Sequence, residues 1–273
     1  MIVKHSISVA CIYIFLVGLV IVNYSFADED KIKKTAVGIW LFEGDANDSS
    51  GNKNHGQFQK GAKIASNGKF GNALSLDGKD DYVLVKPSPS LESSAKQYTG
   101  VAWVKLNKPG KRRNQCCDDD QFVVGWTPGW RNIMNVFGAG RNANQGKIEI
   151  GSNKLAPQWS FSPKTVNDNK WHHLAFAYDG KKKILYIDGV VDINKDAKGT
   201  FDIKGVTLTI GGTESNQRIS LGLIDDVGVF NVALSKADIN TVMNKGLPKI
   251  FGVVAVSPKD LLTTTWSNIK GKP

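Results

Sequence analysis

The strongest constraint on this chain is a succession of short apolar runs with turn residues between them. They fall at 37–42, 73–76, 81–85, 100–106, 122–124, 134–137, 147–150, 171–178, 183–191, 207–212 and 222–230. The run at 171–178 alternates with period two, the spacing of a strand with two different faces. Asp188-Gly189 interrupts the run at 183–191 and reads as a tight hairpin turn. Short strands at this spacing, with 28 glycines in 273 residues, predict an all-β, two-sheet antiparallel sandwich. One short C-terminal helix is expected. Ser235 is a good N-cap, Ala237, Ile239, Val242 and Met243 carry its apolar face, and Gly246 and Pro248 stop it. The sandwich is expected over 36–250, with a short linker at 28–35 and a tail at 251–273 that carries Trp266.

The first 27 residues are expected to stand apart from the fold. Lys4 and His5 precede an apolar stretch from Ile7 to Val22, and Ser25-Phe26-Ala27 places small residues where a signal peptidase reads them. This is the layout of a cleaved secretory leader. The stretch is short for a membrane span of about 20 residues. Cleavage after Ala27 implies a secreted, cell-surface or periplasmic protein with no stable membrane span.

Lys4 leaves with the leader, so 34 basic residues remain against 25 acidic and the mature net charge is +9. Such a charge suits anionic partners. The lysines are scattered, however, and no basic-aromatic motif points to nucleic acid. Cys11 also leaves, and Cys116-Cys117 remain as an adjacent pair in a polar loop with no further Cys or His at ligand spacing. Catalysis is not expected. A retaining glycosidase needs two carboxyl groups about 5 Å apart, yet Glu29, Glu43, Glu92, Glu149 and Glu214 are well separated. Asp225 and Asp226 are adjacent, which on a regular strand sends them to opposite faces. His172 and His173 diverge for the same reason.

Four segments resemble the laminin-G-like, concanavalin-A-like jelly-roll family of secreted proteins. They are Trp40-Leu41-Phe42-Glu43-Gly44 with 48–56, Gly71-Asn72-Ala73-Leu74-Ser75-Leu76-Asp77-Gly78 with 81–83, 171–180 with Tyr186-Ile187-Asp188-Gly189, and Ile224-Asp225-Asp226-Val227 with 230–235. The resemblance implies a jelly roll of two curved sheets. It does not imply one function, because this fold carries lectins, adhesion modules and glycosidases alike.

Two candidate sites follow. The oxygen-rich turn 48–56 could wrap a structural calcium, with Asp48 as carboxylate and ligands near Asn52 and His55. The resemblance suggests that Asp225 closes this site. The second candidate is a ligand face. Trp40, Trp103 and Trp171 sit among apolar residues and read as core. Trp126, Trp130 and Trp159 sit among Gly, Pro, Asn and Arg, where aromatic rings can stack on a sugar and Arg131 or Arg141 can bind hydroxyls or carboxylates. The expected function is a binding module for a glycan or another extracellular ligand, such as a cell-surface or matrix protein, with a structural calcium. The alternative is a structural or protein-interaction and adhesion unit without a sugar site, with a glycoside hydrolase the last reading, and the test between the first two is whether those tryptophans are exposed.

Overall fold

The computed structural model describes residues 28–108, 120–127, 132–136, 146–215 and 218–253. Two antiparallel sheets form the jelly roll. The eight-stranded sheet runs Val190–Asp196, Lys182–Ile187, His172–Tyr178, Tyr98–Leu106, Leu221–Phe230, Ala73–Asp77 and Lys63–Ala65, with Ala36–Trp40 also paired to Leu221–Phe230. The seven-stranded sheet runs Trp159–Thr165, Lys147–Gly151, Asn132–Val136, Gln121–Trp126, Leu208–Ile210, Tyr82–Val85 and Gly56–Gln59.

Alternation decides what each strand buries. Leu174, Phe176 and Tyr178 point between the sheets, whereas Ala175 and Ala177 point away from them. Tyr98, Ala102, Val104 and Leu106 also face inward. Tyr98 gathers the inner aromatic cluster, meeting Trp126 and Phe176 edge-on at 5.6 Å and Phe201 at 5.8 Å. Gly100 leaves room for that ring: a Cβ there would stand 1.8 Å from the Tyr98 hydroxyl.

A third layer covers the outer face of the eight-stranded sheet. Helices Glu29–Thr35, Lys236–Lys245 and Leu247–Phe251 bury Ile32, Ile239, Val242, Leu247 and Ile250 against Ile39, Val101, Ala175, Tyr186 and Phe230. The expected linker at 28–35 is therefore mostly helix. Asp28 caps it by accepting from the Lys31 amide, Ile32 is fully buried, and Lys31 pairs with Asp238 at 2.8 Å. Spacing alone did not show it because seven residues carry a single apolar anchor. The expected C-terminal helix starts at Ser235 with a complete capping box to Asp238 and stops at Gly246, where φ is 77°. A short fourth helix, Pro89–Glu92, lies between strands.

Candidate functional site

The outer face of the seven-stranded sheet carries an unusual mixture of groups. Ile148 and Ile150 face the core, so Glu149 between them faces out. Phe161 of the edge strand pairs with Glu149 and shares its face. Phe161 is 46% exposed, while its neighbours Ser160 and Ser162 are buried. Two positions earlier, half-buried Trp159 lies over Gly151, where a Cβ would meet the indole at 2.8 Å and the Gln158 carbonyl at 2.0 Å. With φ at 150° as well, position 151 excludes any larger residue. Glu149 accepts from the Arg218 guanidinium at 3.1 Å, and Asp120 lies 3.7 Å from the same group. Thr209 stands further along this face, its hydroxyl 3.3 Å from that of Thr127. The face thus presents an aromatic edge at Trp159 and Phe161, while the charged and hydroxylic groups beside it, Glu149, Arg218, Asp120, Thr127 and Thr209, are buried.

Of the five residues expected to hold a ligand, Trp159 lies on this face. Trp126 does not: it is fully buried between the sheets against Tyr98. It pairs with Leu208 and shares the inward parity of Val124, so its strand, not its loop-like neighbours, fixes its direction. Trp130, Arg131, Arg141 and the Cys116-Cys117 pair lie outside the described residues. Of the tryptophans expected in the core, Trp40 and Trp103 are buried and Trp171 differs. Trp171 is half-buried at the mouth of its strand. Trp103 is buried on the outer side of the eight-stranded sheet, with Lys69 Nζ 4.2 Å above its ring.

The four expected metal ligands do not come together. Asp48 Oδ1 accepts from the amides of Ile39 and Ser50 at 2.9 and 2.8 Å, and Oδ2 accepts from the Ser50 hydroxyl and the Asn54 amide, both at 2.9 Å. A carboxylate has about four lone-pair sites, so protein donors saturate it. Asn52 donates its amide to the Ala36 carbonyl at 3.0 Å, and His55 Nδ1 accepts from the Asp48 amide at 3.2 Å. These bonds shape the turn. Asp225 belongs to another network, where it accepts from the amides of Lys69, Phe70 and Asp226.

Asp225 and Asp226 also break the expected alternation. A bulge lies between Asp225 and Gly228 in the pairing with Tyr98–Leu106, and Asp226 has φ of 47°. Asp226 accepts from the Leu247 amide of the helical layer at 2.9 Å, so both carboxylates serve the outer side. Burial raises the pKa of each, their mutual repulsion adds to that of Asp226, and Glu43 pushes both the same way. Sequence spacing gave no hint of Glu43, which reaches this cluster from the bend after the first strand. Its carboxyl is raised chiefly by burial. Among the described residues, the acidic group already within one ion's span is Asp77, Asp80 and Asp81. There Lys79 pairs with Asp77, and Asp81 holds the turn through the amides of Gly61 and Asp77.

Two antiparallel sheets packed face to face define a jelly roll. Residues 77–240 match the laminin-G family model of the concanavalin A-like lectin/glucanases superfamily, and the chain belongs to this family. Solved structures agree on the fold. The binding domain of Paraclostridial mosquitocidal protein 1 is similar at a TM-score of 0.61 and 15% identity, over 78% of this chain and 53% of that one. Domain 4 of an extracellular GH43 arabinanase from Geobacillus stearothermophilus, solved with arabinotriose, has a TM-score of 0.55 and 19% identity over 76% of this chain and 98% of that one. The ligand-binding domain of botulinum neurotoxin serotype D, solved with N-acetylneuraminic acid, has a TM-score of 0.57 and 16% identity over 80% and 52%. The chain spans about half the length of the toxin domains. No curated protein matches it. Among the described residues, no helix is long and apolar enough to cross a membrane.

Proposed function

We propose that this chain is a secreted, non-catalytic binding module that holds an extracellular carbohydrate against the outer face of its seven-stranded sheet. The observation that carries this reading is the exposed Phe161 beside Trp159 on the edge strand, next to the buried Glu149–Arg218 pair. Aromatic faces suit the apolar side of a sugar ring, and fixed polar groups suit its hydroxyls. Two proteins of similar fold, the arabinanase domain and the serotype D toxin domain, were solved with bound sugars, and a third, the neurotoxin DC binding domain, with the protein synaptotagmin II, so the fold is compatible with either ligand and the aromatic edge is what favours a sugar.

A glycan array of neutral and acidic sugars, probed with the chain from Asp28 onward, tests the reading. Phe161→Ala is expected to weaken the best hit about tenfold, equivalent to 1.4 kcal/mol, with little change in melting temperature because the side chain is exposed. Absence of any glycan ligand together with capture of a surface protein would transfer the module to adhesion.

Export has its own consequence. The Asp28 nitrogen lies 3.2 Å from Asp238 Oδ1, a residue 2% exposed that also pairs with Lys31. Cleavage after Ala27 turns that nitrogen into an ammonium, and an ion pair replaces an amide–carboxylate bond. The chain starting at Asp28 should therefore be about 1 kcal/mol more stable than one extended by a few residues. Equal denaturant midpoints for the two would remove the ion pair from the account, and Edman sequencing of exported material checks the cleavage position.

A further inference from the structure

Lys183 is a buried cation held by carbonyls rather than by an anion. It stands on the strand Lys182–Ile187, is fully buried, and shares the inward parity of Leu185 and Ile187. Among the described residues no carboxylate lies within ion-pair distance of it, since Asp192 goes to Lys164 and Asp196 to Lys182. Its Nζ donates instead to the carbonyls of Pro157 at 2.6 Å and Gln158 at 3.3 Å. Burial and the charge of Lys195 push its pKa down to about 8, so it still holds its proton at neutral pH. Taking an ammonium out of water for two neutral carbonyls is costly, and a methionine of the same length would fill the space without desolvating a charge.

Those two carbonyls lead directly into the aromatic edge. Gln158 is followed by Trp159, the first residue of the edge strand Trp159–Thr165. The Gln158 carbonyl also accepts from the Ser152 amide at 3.1 Å. The edge strand is at the end of its sheet, with Lys147–Gly151 as its ladder partner, and its register shifts between Phe161 and Thr165. A strand laddered on one side and bulged has little of its own to fix where it starts. Lys183 reaches it from the other sheet. We propose that Lys183 is a positioning residue for the carbohydrate face, clamping the carbonyls of Pro157 and Gln158 and so fixing Trp159 and Phe161 as a platform for a sugar ring. The role rests on the sugar-binding reading above, but the clamp is measurable without a sugar.

The test uses the chain from Asp28 onward, ¹⁵N-labelled at its indoles, with the Trp159 N–H resonance assigned by its loss in Trp159→Phe. Lys183→Met should move and broaden that resonance while the core indole of Trp126 keeps its own. It should also weaken the best glycan of the array roughly three- to tenfold, the cost of ordering on binding a side chain no longer held beforehand. A merely structural lysine would lower the melting temperature and leave the Trp159 resonance in place, which overturns the proposal with or without a glycan in hand. A moved resonance with unchanged affinity overturns it too. A glycan ligand indifferent to Phe161→Ala would remove the sugar face and the role with it, although the moved resonance would still establish the clamp. If Lys183→Met does not fold, the parent decides. Raising the pH from about 7 to 9, through the Lys183 value, should shift the Trp159 resonance as the charge-assisted bonds weaken. Tyr178 and Lys195 face Lys183 from the neighbouring strands; burial raises the Tyr178 pKa, so it keeps its proton there, and Lys195 is exposed. A Trp159 resonance flat across that range overturns the clamp.

Discussion

Trp126→Ala should destabilise the protein by about 3–5 kcal/mol, the range for deleting a large aromatic side chain from a packed core. The indole is fully buried in the inner aromatic cluster, edge-on to Tyr98 at 5.6 Å. Its strand is hydrogen-bonded on both sides, to Leu208 and to Asn132, so the backbone cannot close the gap. Urea unfolding measures the loss directly as a lower midpoint at unchanged slope. Phe161→Ala is the companion experiment, expected to lose ligand and keep stability. A Trp126→Ala protein as stable as its parent would mean that this indole lies outside the core.

The second large effect is on acid stability, and it comes from His173. The side chain is fully buried against the ring of Trp103 at 5.2 Å, and neither ring nitrogen has a hydrogen-bond partner. Burial pushes its pKa down to about 3, with Lys69 adding to the depression and Asp188 opposing it. Asp188 also accepts from the His173 amide at 2.8 Å. In the unfolded chain the imidazole titrates near 6.5. Between those values the unfolded state holds a proton that the folded state does not, so stability falls as pH falls. The slope from this residue is about 1.4 kcal/mol per pH unit from roughly pH 6 downward. His172 works the other way. Bonds to Asp188 at 2.8 Å and Asp168 at 3.1 Å raise its pKa. Its contribution is complete below the unfolded pKa and fades as pH rises through the folded one. His173→Phe should flatten the acid limb of a stability–pH curve between pH 6 and 4, and His172→Gln should leave that limb in place. An unchanged slope in His173→Phe would refute the assignment.

Much of the sandwich was legible because its strands follow the rule of two. The Asp188-Gly189 turn also reads directly, with positive φ at both residues. The misreadings share a cause. Trp126 sits beside Gly, Thr and Pro and reads as loop, but Val124 and Trp126 already have strand parity, which is the signal that could have placed it. Asp225 and Asp226 were assigned opposite faces because a bulge leaves no mark in one sequence. The turn at Asp48 has the composition of a cation loop. Only coordinates show that four protein donors occupy its carboxylate. Glu43 could not have been linked to Asp225 from sequence, since more than 180 positions separate them and the link is made by packing.

The docking of the first helix on the last ones settles how this domain can be mounted. Glu29 pairs with Lys245, Lys31 with Asp238, and the Thr35 carbonyl accepts from the Asn231 amide. The entry of the described chain near Asp28 is therefore bound to the helices that lead to its exit near Val253, on the layer that covers the eight-stranded sheet. The carbohydrate face proposed here is on the other side of the sandwich. A tether, a neighbouring domain or a second module attached at either end of the described chain would start from this helical layer, opposite the proposed carbohydrate face. Chains with adjacent ends tolerate insertion into larger polypeptides well.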